Sequence, residues 1–584
     1  MKKAIIYSTA LLLLGATTLT SCEDFLDKEP SNQLTGEQTF SEWKTMEQFH
    51  LDTYNFLRNG ECRINNSWLD AATDLSECSM SSSGTRVSFN IGNYYASGAA
   101  NELTDPWEHY YRGIRKCNML LDTIETVPKA ADESQETYEL HKEWYKGEAK
   151  FFRAYFYWEF FLRYGPIPVV KEVLDPDGDL LSGYTTRPTL KEYVVDFIID
   201  ELRQAENMVM DYESSHLSGN EGRINKDICS ALLSRIYLYM ASPRYADESG
   251  ITWQQAADET KRFIDTYGSH YRLYTDGGSY VANYTNAILL NAHTESNPEV
   301  IFYRSDVSQG WSSYGFNNDT PVGSGGNGGN CPSQNLVDMY DMADGNSPFL
   351  SYDATGAPVY INDRPQINTA LNYDDTHPTE NRDPRLTASI LFHGQTWSGR
   401  MIDVREGMAD NPTGNANATP TGYYMRKYMP EVILQNNHTG TSYRNWIIIR
   451  YAEILLNYAE ALNEVNGPTE EVCDLLEQVR SRVGMNIDLY RDRPDLQHKD
   501  EMRNFIHKER TVELAFEEHR GWDLRRWNVA TEALSRPIYG VDVDENGNYT
   551  RKIAQQRVFE DRMYLYPIPE TEYWKTGIEN NPGW

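Results

Sequence analysis

The sequence predicts a mostly α fold in which tetratricopeptide-like helical hairpins carry a long loop-rich insertion. Three observations predict it. Apolar residues recur at helical spacing through most of residues 41–268 and again in 441–584. Paired helical stretches of similar length carry small residues for close packing: Ala231 with Ala256 and Ala257, and later Ala459 and Ala461. Between them, residues 269–440 are rich in Gly, Asn, Ser, Thr, Pro and Asp and offer only short strand-like or helical pieces.

The chain opens on Lys2 and Lys3, an apolar run from Ile5 to Leu14, and then Leu19-Thr20-Ser21-Cys22. Residues 1–21 read as a secretory signal peptide. An aliphatic residue and two small ones before a cysteine form a lipobox, so Cys22 is the expected lipidation site. The apolar run is shorter than the roughly 20 residues of a spanning helix. Acyl chains, at about 0.8 kcal/mol per buried methylene, are the expected hold on the membrane. Residues 22–40 read as a lipidated tether.

Helical patterns then follow in order. Ser41 starts one whose apolar face is Trp43, Met46, Phe49 and Leu57. Residues 107–124 form a second. Residues 134–164 form a long third, with Ala149, Phe152, Phe156 and Phe160 on one stripe and Gly165-Pro166 at its end. Residues 190–210 and 224–240 continue the pattern, and 253–267 should fold back on the latter as a hairpin. Within 269–440, residues 300–303 read as a strand. The run Gly323-Ser324-Gly325-Gly326-Asn327-Gly328-Gly329-Asn330 reads as a flexible loop, and no Gly-Lys-Ser/Thr follows to make it a phosphate loop. Helices return at Trp446, with Tyr451, Ile454, Leu455, Tyr458 and Leu462 on one face and Gly467-Pro468 as the stop. Residues 471–482 and 502–527 are the last helices, and the Pro-bearing tail is extended. Residues 441–584 thus form a C-terminal helical part and an extended tail.

Charge narrows the partners. Asp and Glu number 86 against 54 Lys and Arg, a formal net charge of −32. Loss of Lys2 and Lys3 with the signal peptide leaves −34. So negative a body argues against nucleic acid, anionic lipid and polyanionic ligands. Tyr, at 40 copies against 19 Phe, supplies flat apolar faces with polar tips, which suit wet binding grooves.

The densest charged cluster is Glu509, Arg510, Glu513, Glu517, Glu518, His519, Arg520, Asp523, Arg525 and Arg526. Its residue types suit acid–base chemistry, but the spacing reads as ion pairs on a helix. The sequence shows no HExxH, nucleophile elbow or Cys/His signature. No catalytic residue, metal or cofactor is assigned, and the chain is not read as an enzyme. Asp175, Asp177 and Asp179 alternate as in a calcium loop, but Leu180 and Thr186 stand at its sixth and twelfth positions. Asp542, Asp544, Asn546 and Gly547 fit better until Ile553 replaces the closing Glu; Asn546-Gly547 more simply marks a hairpin turn. Cys117, Cys229 and Cys473 fall in helical patterns as small buried residues. Cys62 and Cys78 bracket one loop, with pairing and two separate thiols both open.

Several motifs in order resemble the SusD/RagB family of Bacteroidetes outer-membrane lipoproteins. They include Cys22-Glu23-Asp24-Phe25-Leu26-Asp27, Glu148-Ala149-Lys150-Phe151-Phe152-Arg153-Ala154-Tyr155, and Arg163-Tyr164-Gly165-Pro166-Ile167-Pro168. Gly222-Arg223-Ile224-Asn225-Lys226, Asn297-Pro298-Glu299-Val300-Ile301-Phe302 and Arg382-Asp383-Pro384-Arg385-Leu386 follow. Arg450-Tyr451-Ala452-Glu453, Glu509-Arg510-Thr511-Val512-Glu513-Leu514, His519-Arg520-Gly521-Trp522-Asp523 and Tyr566-Pro567-Ile568-Pro569 complete the set. The resemblance implies a SusD-like fold, with the helical units on one side and the ligand site on the loop-rich side. It implies a cell-surface lipoprotein of the outer membrane that binds nutrient, mostly glycan, without catalysis. The implied partner is a SusC-like TonB-dependent transporter, over whose barrel the protein acts as a lid. The quoted motifs are scaffold and carry no binding role.

A neutral oligosaccharide needs aromatic platforms for its C–H faces and planar polar groups for its hydroxyls. Two regions hold both. One contains Trp68, Asp70, Asp74, Arg86, Asn90, Tyr94 and Tyr95; the other contains Asp306, Gln309, Trp311, Tyr314 and Asn317. The expected contacts are Trp68, Asp70, Asp74, Arg86, Tyr94, Tyr95, Trp311 and Tyr314. The Gly-rich loop would serve as a mobile flap or a transporter contact. The resulting reading is a glycan-binding lipoprotein that delivers ligand to the transporter. A RagB-like peptide binder is the alternative; a glycoside hydrolase or a purely structural lipoprotein stands behind it.

Overall fold

The computed structural model describes residues 36–584 apart from 62, 65–66, 80–83, 97–100, 176, 182, 291–296, 306–307, 313–315 and 444. The signal peptide and Cys22 lie outside the described residues. So does Cys62, and with it the Cys62–Cys78 pairing.

Helices stack in sequence, and the stack is mostly α. Asn101–Thr123 packs on Gln135–Tyr164, which packs on Asp200–Met208. Lys226–Ala241 packs on Trp253–Tyr267 as the expected hairpin. The array then skips the middle of the chain. Trp253–Tyr267 packs next on Tyr451–Asn466, which packs on Glu470–Ser481 and Lys499–Glu513. The chain between Tyr267 and Tyr451 therefore runs between two neighbouring helices of one array. Among the described residues, no helix is long and apolar enough to cross a membrane.

Local sequence sets these boundaries. Ser134 caps the long helix by accepting from the Thr137 N–H at 3.1 Å. Gly165, at φ 70°, ends it in a conformation that favours glycine. Thr252 and Gln255 form a capping box, and the Asn225 and Thr469 side chains cap their helices by accepting from the Ile228 and Val472 N–H groups. Cys117, Cys229 and Cys473 are buried, as their helical spacing predicts. Asn546-Gly547 sits in the turn of a hairpin that pairs Ile538–Val543 with Tyr549–Gln555.

Three elements differ from expectation. The 190–210 helix opens with wider π-type turns over Lys191–Ile199. Trp446–Arg450 is a buried strand, not a helix start, and pairs antiparallel with Val300–Arg304. Its Trp-Ile-Ile-Ile run suits a strand buried on both faces. The 502–527 helix is two helices, Lys499–Glu513 and Arg520–Arg526. Phe516 and Glu518 between them hold left-handed φ values of 64° and 61°.

A buried ion network surrounds that break. Glu517 accepts from Arg450 at 2.7 and 2.8 Å and from Lys427 at 2.7 Å. Glu513 accepts from Arg385 at 2.9 Å, from Arg450 at 2.6 Å and from Arg482. Glu299 accepts from Arg450 at 2.7 Å and Arg482 at 2.9 Å. Glu518, in its left-handed conformation, reaches Arg63 at 2.9 Å. The cluster is thus a buried tie between the insertion and the helical array, and its partners lie far away in sequence rather than at i, i+4.

Candidate functional site

Two chain segments pair twice on the loop side. Beyond the buried Val300–Arg304 and Trp446–Arg450 ladder, Gln309–Gly310 pairs antiparallel with Thr441–Ser442. This short ribbon places Trp311 against His438. The two rings stack with centroids 4.0 Å apart and 13° between planes. Trp311 and His438 are half-buried, Asn436 and Asn437 are exposed, and Tyr443 is exposed at the end of the ribbon.

The turn that presents His438 is strained. Asn436, Asn437 and His438 hold φ values of 51°, 58° and 65° in succession. A left-handed L-residue costs roughly 1–2 kcal/mol, less for Asn, whose side chain can bond locally. Such strain persists only where the surroundings impose it. The Thr439 N–H donates to the Gln435 carbonyl at 3.1 Å, and Gly440 packs against the Val432 carbonyl so closely that a methyl group would collide. Gly325 lies behind the stack, where a Cβ would come 3.5 Å from the His438 ring and 4.0 Å from Trp311.

The Gly-rich run is knit into this support, which corrects the expectation of a flexible flap. The Asn327 N–H donates to the Asn317 carbonyl and the Gly328 N–H to the Thr320 carbonyl, each at 2.9 Å. Asn330–Pro332 pairs antiparallel with Ser76–Cys78. A Cβ at Gly326 or Gly329 would collide with Thr320 or Asp319. These glycines serve close backbone packing rather than mobility.

The structure separates the expected contacts. Trp68 is not an exposed platform: it is fully buried, and its indole N–H donates to Asp319 at 2.9 Å. Its ring centroid lies 5.1 Å from Tyr428 and 5.5 Å from Trp446. It therefore braces the loop from beneath. Asp74 is buried in an ion pair with Arg520 at 2.7 Å. Asp70 is buried, with the Glu518 backbone beside its carboxyl. Burial, reinforced by the neighbouring Glu518 carboxylate, pushes its pKa up to about 7. Tyr94 is buried between Phe89 and Trp584, at centroid distances of 4.8 and 5.1 Å. Asn90 accepts from Arg557 in the interior. These residues hold scaffold because apolar neighbours and arginines close over them. Tyr95 is exposed but belongs to the C-terminal side of the molecule, beside Ala96 and Glu570. The Arg86 side chain, Tyr314 and Asp306 lie outside the described residues. Trp311 is the expected residue that the ribbon sets at the surface. His438, Asn436, Asn437 and Tyr443 escaped the sequence reading. The one signal for them was the Asn436-Asn437 pair, a residue type that tolerates left-handed turns.

Comparison with known proteins covers the chain in two stretches. A family model described as the SusD family matches residues 298–584. A second, described as starch-binding associating with outer membrane, matches residues 24–238. The chain belongs to the SusD/RagB family. SusD-like protein P38 of Formosa agariphila is 24% identical over 554 residues, covering 92% of this chain and 94% of the relative. A SusD-like protein from Bacteroides fragilis superposes with a TM-score of 0.75 at 26% identity, covering 94% of this chain and 98% of that one. A SusD-like carbohydrate-binding protein from the same species gives a TM-score of 0.71 at 22% identity, covering 92% and 99%. The SusD-like fold expected from the sequence is the fold observed.

Proposed function

We propose that this protein binds a neutral oligosaccharide at the bacterial surface through the Trp311–His438 face and passes it to a SusC-like TonB-dependent transporter. The observation that carries the reading is the stacked Trp311–His438 pair, held at the surface by a strained turn and a rigid Gly-rich support. A stacked, braced indole offers a sugar a fixed apolar surface at little entropic cost. Exposed Asn436 and Asn437 supply amide donors and acceptors beside it. The net charge of −32 favours a neutral ligand over an anionic one. The family descriptions, starch-binding and associating with the outer membrane, support the ligand class and the location. An acylated Cys22 would tie the body to that membrane. The chain needs no nucleotide in this scheme, because the transporter supplies the energy.

The test is affinity electrophoresis of the full chain, solubilised in detergent, through soluble starch, laminarin, galactomannan and xylan. Retardation by one polymer, lost in Trp311→Ala, supports the reading. Unchanged migration in all four overturns it.

A further inference from the structure

The C-terminus builds a second aromatic surface that shares no residue with the Trp311 face. Helix Glu570–Thr576 ends at Gly577, and the last residues return beside it. With Ala96 they line an open cleft of about 640 Å³. Trp574 stands at this cleft with 73% of its surface exposed, the largest fraction for a large apolar side chain among the described residues. Tyr573 is next to it, 39% exposed, with ring centroids 5.1 Å apart and planes at 75°.

Chain termini usually fray unless tied down. This one is pinned. The Trp584 indole N–H donates to the Arg562 and Leu565 carbonyls at 2.9 and 3.0 Å. The Asn581 amide donates to the Tyr164 and Tyr566 carbonyls at 3.0 and 2.6 Å. Asn580 accepts from the Ile568 N–H at 2.8 Å. The cleft is therefore a fixed shape, and its exposed indole is not a by-product of a loose tail. Its polar rim is Glu570, Glu579 and Asn580. Carboxylates accept from hydroxyls and repel anions. Two aromatic faces at a steep angle with an acceptor-rich rim suit a neutral, twisted chain of sugars.

We propose that the Trp574 cleft is a second contact for a neutral glycan chain, so that a long polysaccharide is held at two places. This rests on the glycan-binding reading above. Two linked contacts multiply through effective concentration, so the gain appears with polymer and not with short fragments.

The experiment compares wild type, Trp574→Ala, Trp574→Phe and Trp311→Ala as detergent-solubilised full chains. Each is run against the four polymers above and against tetrasaccharides cut from them. The expected result is retention by polymer about tenfold weaker in Trp574→Ala, with tetrasaccharide affinity within about twofold of wild type and Trp574→Phe near wild type. Trp574→Ala that is retained like wild type overturns the proposal and leaves the Trp311 reading intact. Wild type retained by no polymer overturns both.

Discussion

Trp311 lies flat on His438, ring to ring at 4.0 Å, although the two residues are far apart in the chain. His438 holds the indole in place and is itself held by two left-handed asparagines. His438→Ala should therefore weaken oligosaccharide binding about tenfold by freeing the indole, roughly 1.4 kcal/mol. Asn437→Gly should bind as wild type, since glycine accepts φ 58° freely, while Asn437→Ala should lose affinity in step with the turn. Titration calorimetry of the three variants decides it. Equal affinities for Asn437→Ala and Asn437→Gly would remove the turn from the mechanism.

Two glycines of the ribbon make opposite predictions. A methyl at Gly440 collides with the Val432 carbonyl, whereas one at Gly310 meets its nearest neighbour at 3.6 Å. Gly440→Ala should cost about 1–3 kcal/mol through forced backbone movement and should reduce glycan binding as well. Gly310→Ala should stay within about 0.5 kcal/mol of wild type. Urea denaturation curves for both give the comparison. A Gly440→Ala protein as stable as Gly310→Ala would show that the ribbon is not tightly held.

Asp70 makes a pH prediction of unusual sign. Its pKa rises from 3.8 to about 7 because burial disfavours the charge, with Glu518 adding to the shift. The folded state then binds a proton that the unfolded chain releases above about pH 4. Asp70 thus favours folding below its unfolded pKa, and that contribution is lost as pH rises through about 7. Asp70→Asn keeps the shape without the charge. It should raise stability at pH 8 by on the order of 4 kcal/mol and change little at pH 4. Thermal melts at the two values read this directly. A variant destabilised equally at both would mean that the carboxylate is ionised and paired in the fold.

Much of the scaffold is legible in the sequence, and the site only in part. Helical periodicity and caps such as Ser134, Thr252 and Gly165 are local signals, and they place the helical array. The strand at Trp446 is not local: it is a strand because Val300–Arg304, far away in the chain, pairs with it. Trp68 and Trp311 look alike as sequence, each an aromatic among polar residues. Tyr428, Trp446 and Asp319 bury the first, and none of those three is near it in the chain. Exposure is decided by what folds over a residue, and that information is spread over the whole sequence. The Gly-rich run shows the same limit, since glycine serves close packing and flexibility equally well.

Arg385, Arg450 and Arg482 converge on Glu513. Burial opposes its charge, but the Arg482, Arg450 and Arg385 guanidiniums together hold its pKa well below the usual carboxylate range. That depressed pKa contributes stability above the unfolded value near 4.5, and the contribution disappears as pH falls through the lower folded value. Removing one partner of a buried ion pair costs about 3–5 kcal/mol, because the opposite charge is left unpaired. Glu513→Gln should lose an amount of that order at pH 7 and less at pH 3. Arg385 also bonds Asp383 and Glu509, so Arg385→Met alone would strand carboxylates in turn. The pair Glu513→Gln with Arg385→Met should nonetheless cost less than the sum of the two, since each removes a charge that the other leaves exposed to the interior. A double-mutant cycle by chemical denaturation measures that coupling. Strict additivity would mean that Glu513 and Arg385 do not act as a pair in the fold.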